Sequence, residues 1–174
     1  MVVKFYLQRR WWLLLVSSML LFELTALYFQ YRLELDPCVL CVFQRTAVMG
    51  VLVAGLVGVI NPLNRWLRFT AYSIWGACSI WGAYTASKHA GLQLGFIEQS
   101  ITCEYTAPTW FMLDKWVPWM FEPTSIYCDE IKWSFFGFSM PQVMLAIFVL
   151  LLLTLLYICV IEIRDGLKKT GMSV

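Results

Sequence analysis

Leu35-Asp36-Pro37-Cys38-Val39-Leu40-Cys41-Val42-Phe43-Gln44-Arg45 leads into a stretch that carries no further charge and ends only at Ile60. Asp36 and Pro37 have the chemistry of an N-cap and a first helical residue, so the sequence predicts a helix running to about Ile60 with Cys38 in its first turn. Its apolar length meets the ~20 residues that a bilayer core demands. At about 100° per residue, Cys38, Cys41 and Arg45 share one helical face. The helix N-terminus and the guanidinium one turn below Cys41 both favour thiolate over thiol, while burial in lipid opposes it. A C-x-x-C pair can also be a structural disulfide or two packed apolar thiols. Arg45 tips the reading toward chemistry, because a charge one or two turns inside an apolar helix is costly and marks a functional site.

Working outward, the whole chain has the same character. Of 174 residues 60% are hydrophobic, 17% aromatic and only 14% charged, which excludes a soluble domain and leaves room for one unit. Runs at about 11–29, 39–60, 69–87 and 143–161 are each long enough to span, so the expected fold is an all-α bundle of four transmembrane helices. The first run is an anchor and not a cleaved signal: it is longer than a signal core, contains Glu23 and has no small-x-small site before Gln30. Lys4, Arg9, Arg10, Arg65, Arg68, Arg164, Lys168 and Lys169 lie on the side of the termini and the 61–68 loop, against Arg32, Lys88, Lys115 and Lys132 in the other connections. The positive-inside rule then makes the termini and loop 61–68 cytoplasmic and loops 30–38 and 88–142 external. The net charge of +2 gives no reason to expect a nucleic-acid partner.

This topology sorts the cysteines. Cys38, Cys41, Cys103 and Cys128 fall outside, which in a bacterial inner membrane means the periplasm, where disulfides persist. Four thiols allow three connectivities. Cys78 and Cys159 fall within spans and read as small apolar packers. A four-cysteine zinc site fits poorly, since the Cys103 and Cys128 spacing lacks a second close pair, and no metal is expected. Glu23 lies at a depth comparable to Arg45 across a tight turn, so the two can pair or can each meet water separately. His89, the single histidine, stands at the outer end of the third span, where it can handle protons or simply be solvated. The 88–142 connection is long enough to suggest function, and its aromatic stretch from Trp110 to Phe121 suits a short interfacial helix or a plug over the helix ends, with Pro118 limiting any helix to about two turns.

Taken in order, Glu23-Leu24-Thr25-Ala26-Leu27, Pro37-Cys38-Val39-Leu40-Cys41 with Arg45, His89 with Leu92-Gln93-Leu94, Cys103, Leu113-Asp114-Lys115-Trp116-Val117-Pro118, Cys128 and Met140-Pro141-Gln142 resemble the DsbB family of inner-membrane, quinone-linked thiol oxidases. The resemblance implies catalytic pairs Cys38 with Cys41 and Cys103 with Cys128. It also implies electron flow from a reduced periplasmic DsbA-like dithiol through the second pair to the first, and on to ubiquinone or menaquinone in the membrane. Arg45 would contact the quinone, with His89 as a further contact and Glu23 as support for Arg45. A dedicated DsbI-type partner fits the same pattern. Two other readings use the same cysteines: bridges that only brace a scaffold or transporter, which leaves Arg45 without a purpose, and an outward conduit of reductant, which lacks cytoplasmic thiol pairs.

Overall fold

The computed structural model describes residues 5–97, 115, 117–121, 128, 131 and 133–171. After a 3-10 turn at Phe5–Leu7 come α1 (Arg9–Arg32), α2 (Val39–Ile60) and α3 (Arg65–Gln93), then a one-turn α4 (Pro118–Phe121), a hairpin of β1 (Ser134–Phe135) and β2 (Phe138–Ser139), and α5 (Met140–Gly171). Among the described residues three helical segments are long and apolar enough to cross a membrane: α1, α2 and Met140–Asp165 of α5. The chain is a helical membrane protein. The expected 69–87 run lies within α3, which has the length at 29 residues, but Tyr72, Ser73, Ser79, Tyr84 and Thr85 dilute its apolarity.

The helix α2 packs between α1 and α3, and α3 also packs on α5. Small residues permit the approach. A Cβ on Gly58 would run into the Trp12 indole, one on Gly82 into the Phe148 ring, and one on Gly50 into the Cys78 sulfur. Cys78 is thus a packing residue against α2, in keeping with its sequence reading. Leu20, Leu24, Leu150 and Leu153 point outward and are exposed, as apolar residues facing lipid must be.

At the end of the bundle away from Cys38, Asn64 caps α3 by accepting from the Trp66 N–H at 2.9 Å. Arg68, counted in the sequence among the loop charges, is buried. It donates to the Pro62 and Leu63 carbonyls and pairs with Glu162 of α5 at 2.5 Å. Those bonds clasp the α2–α3 turn to α5.

At the other end the sequence expectation needs one correction. The N-cap of α2 is Cys38, not Asp36, and the helix begins at Val39. The Cys38 sulfur accepts from the Cys41 N–H at 3.3 Å and so does the capping itself, while Asp36 is exposed. Pro118 opens the one-turn α4, where the first helical position has no use for its missing N–H, and Lys115 before it is also helical with a bend at Val117 between them. The helices run past the expected apolar segments, α3 to Gln93 and α5 from Met140. The hairpin turns on Phe136 at φ 50 and Gly137 at φ 85, the two positive values that a tight two-residue loop requires. Gln142 then reaches back to the Ser139 N–H at 3.0 Å, half of a capping box that starts α5.

Candidate functional site

Four segments converge on one cavity of about 290 Å³ whose walls include Glu23 and Gln30 of α1, Cys41 and Arg45 of α2, His89 of α3 and Met144 of α5. Cys38 and Cys41 bring their sulfurs to 2.8 Å, a consequence of the cap followed by one helical turn. Arg45 is buried one turn further in. Its Nε lies 3.5 Å from the Glu23 carboxylate, and its Nη1 donates to Gln30 Oε1 at 2.7 Å. Its Nη2 is buried with no hydrogen-bond partner among the described residues. Pairing with Glu23 reduces the cost of holding a guanidinium at this depth, and the remaining N–H groups stand ready for an acceptor in the cavity.

On the opposite side of the cysteines, His89 is buried with Nε2 3.7 Å from Cys38 Sγ and Nδ1 3.2 Å from Gln44 Nε2. Burial pushes the imidazole down to about 4, against a hydrogen bond at the Cys128 backbone that raises it, so the ring is neutral near pH 7. Cys128 is itself buried and its side chain hydrogen-bonds Cys38. That bond favours the Cys38 thiolate, but the hydrogen bond with Cys41 and burial outweigh it and hold the Cys38 thiol above the ordinary range. Cys38, Cys41 and His89 bring their ligating atoms within 4.8 Å of one another. The sequence reading weighed a metal on the cysteines alone and did not consider this set.

The site therefore gathers Cys38, Cys41, Cys128, Arg45, Glu23 and His89. Cys103 lies outside the described residues. Two buried or half-buried amides, Gln30 and Gln44, were missed. The available signal was their type: each is an uncharged polar residue at or inside an apolar run, where an amide must find partners. Gln30 also lets its Nε2 reach the Trp119 carbonyl at 3.4 Å, and Tyr31 donates to the same carbonyl. Met120 and Phe121 bury against Val42, and the Phe121 ring lies 5.9 Å from the Arg45 guanidinium carbon. The α4 turn thus roofs Arg45.

Residues 8–158 match the family model described as Disulfide bond formation protein DsbB. The chain belongs to the DsbB family. Among relatives, Disulfide bond formation protein B of Psychromonas ingrahamii is 43% identical over 160 residues, covering 90% of this chain and 84% of its own. That of Aeromonas hydrophila is 42% identical over 157 residues, covering 89% and 90%, and that of Pseudoalteromonas translucida is 42% identical over 150, covering 85% and 87%. This DsbB-family chain is a membrane oxidoreductase that generates disulfide bonds.

Proposed function

We propose that the protein oxidises a DsbA-like periplasmic dithiol and passes the electron pair through Cys103 and Cys128 to Cys38 and Cys41, and from there to a membrane quinone. The carrying observation is the double character of the cavity. Cys41 and the unpartnered Arg45 Nη2 share it, and Cys128 meets Cys38, which lines it. In this reading the partner's thiolate attacks the Cys103–Cys128 disulfide, forming a mixed disulfide at Cys103 and releasing Cys128 as thiolate. Cys128 then attacks Cys38, the Cys38–Cys41 bond breaks, and Cys41 leaves as the thiolate beside Arg45. The second partner thiolate resolves the mixed disulfide at Cys103, and Cys103 resolves the one between Cys128 and Cys38, leaving Cys38 and Cys41 reduced.

A quinone bound in the cavity supplies the acceptor for two electrons and two protons. The residues present fit it: an apolar chamber with a guanidinium N–H free to donate to a carbonyl oxygen, and a thiol on the same wall. Arg45 would hold that oxygen and stabilise the Cys41 thiolate, Glu23 and Gln30 would keep Arg45 aimed, and His89 would stay neutral beside Cys38. An acceptor outside the protein is needed on energetic grounds. A DsbA-type partner lies near about −120 mV, and a relay as reducing as a structural disulfide, near about −300 mV, would make its oxidation uphill by about 8 kcal/mol for two electrons.

The same reading gives four spans, with α3 as the fourth, in a bacterial inner membrane. The termini and the Asn61 to Arg68 turn are cytoplasmic, and Cys38, Cys41, Cys103 and Cys128 periplasmic. The basic residues at the Arg68 end support it. The test is quinone reduction by the purified protein on addition of a reduced periplasmic dithiol protein. Stoichiometric quinol formation is the expected result. Its absence, with both cysteine pairs intact, would refute the quinone-linked oxidase and return the choice to the disulfide-braced scaffold or the reductant conduit.

A further inference from the structure

Beyond its redox role, the neighbourhood of Cys38 has the donor set of a soft-metal site. Two sulfurs come from the cap and first turn of α2, and an imidazole nitrogen comes from the last turn of α3, all within 4.8 Å. A tetrahedral ion with Zn–S of about 2.3 Å and Zn–N of about 2.0–2.1 Å sets its ligand atoms roughly 3.5–3.8 Å apart. The Cys38 Sγ to His89 Nε2 distance of 3.7 Å already meets this. The two sulfurs, at 2.8 Å, need to part by about 1 Å, which a modest χ1 rotation of either cysteine supplies.

The second shell is also in place. Gln44 is buried and holds the far nitrogen of the ring at 3.2 Å. Its amide can turn its oxygen toward an Nδ1–H, leaving the Nε2 lone pair directed at the sulfurs, the arrangement that orients ligating histidines. Two thiolates balance a divalent charge, so the loaded site is neutral and can be buried without a further counter-ion. Arg45 keeps its own partner in Glu23.

We propose that Cys38, Cys41 and His89 of the reduced protein bind one thiophilic divalent cation of the zinc and cadmium class. Binding releases the two thiol protons and moves no electrons. The oxidised pair has no thiolates to offer, so the ion selects the reduced form and prevents it from closing the disulfide again. A bare C-x-x-C would bind such an ion loosely; the imidazole from a second helix is what makes this a site. The proposal uses the cysteines of the oxidase but needs neither quinone nor dithiol partner.

The experiment uses the full-length protein in detergent, in a Cys78→Ser and Cys159→Ser background that removes the thiols within the helices. Cadmium is titrated into reduced and oxidised samples, and thiolate-to-cadmium charge-transfer absorption is read against a competing chelator. One cadmium per reduced chain and none per oxidised chain is expected. Gln44→Leu should weaken binding about 10- to 100-fold, as loss of an outer-shell partner does, His89→Ala by more, and Cys103→Ser not at all. Equal uptake by the oxidised protein, loss of binding in Cys103→Ser, or full affinity in His89→Ala would overturn the proposal. Should His89→Ala fail to fold, Gln44→Leu decides, since it keeps all three ligands and unchanged affinity there also refutes the site. Dithiol-driven quinone reduction in metal-free buffer is measured in parallel. Its failure with cadmium binding intact bears on the relay alone, whereas cadmium inhibition reversed by chelator supports the site.

Discussion

Arg45 is held by two different partners, and they make separable demands. The Glu23 carboxylate supplies charge, while Gln30 fixes one nitrogen of the fork at 2.7 Å. Arg45→Met is expected to raise the KM for quinone and slow turnover, while the protein still inserts and forms both bridges. Arg45→Lys should recover part of the loss, since an ammonium keeps the charge but not the planar donors. A purely structural Arg45 would instead lower the yield of folded protein and leave quinone KM normal in what survives. Gln30→Leu removes a hydrogen bond to a charged group, worth about 1.5–3 kcal/mol. It should therefore raise quinone KM roughly 10-fold or more with kcat less affected, because the guanidinium remains but is less firmly aimed. Steady-state kinetics with a short-chain quinone checks all three variants, and an unchanged KM in Gln30→Leu would remove Gln30 from the positioning of Arg45.

At the scale of elements, the geometry of the site depends on how closely α3 approaches its neighbours. Gly82 faces Phe148, which is fully buried and has no room to withdraw. Gly82→Ala is expected to destabilise the bundle by about 1–3 kcal/mol, the usual cost of overpacking. A thermal melt in detergent should show it as a lower midpoint. Because Gly82 lies two turns from His89 on α3, a displaced α3 should also carry His89 away from Cys38; an unchanged midpoint would mean that Phe148 gives way easily. The α4 turn acts in the other direction. It lays Met120 and Phe121 over Val42 and ties the Trp119 carbonyl to Gln30 and Tyr31, so α4 itself is fastened beside Arg45.

For the whole molecule, the relay requires Cys103 to be the contact with the soluble partner and Cys128 the link inward. Cys103→Ser is expected to abolish exchange with the partner while quinone binding remains. A variant that oxidises the partner at the normal rate would refute the relay. The resting protein is expected to hold Cys38 with Cys41 and Cys103 with Cys128, and non-reducing peptide mapping reads this directly. A resting state bridged mainly between Cys38 and Cys128 would instead make the cross-bridge the stable form and no longer an intermediate.

Sequence alone determined the helical membrane class, the C-x-x-C at a helix start with Arg45 behind it, and the family resemblance, because apolar length and the position of a charge within it are local properties. It located the start of α2 two residues early, since nothing in Asp36-Pro37 reveals that the Cys38 sulfur caps the helix itself. It offered Arg45 as one of two alternatives for Glu23, which the structure bears out, and it named His89 and Cys128 without the contacts they make at Cys38. Rotation and depth of a helix are written in sequence only when a polar face contrasts with an apolar one, and α1, α2 and α5 are apolar nearly all round. Tertiary packing therefore decided which side chains meet. It set Arg45 between Glu23 and Gln30, turned His89 to bridge Gln44 and Cys38, and buried Cys128 against Cys38, because the Trp12 and Phe148 rings seated on the bare backbone at Gly58 and Gly82 set how the helices are turned against one another.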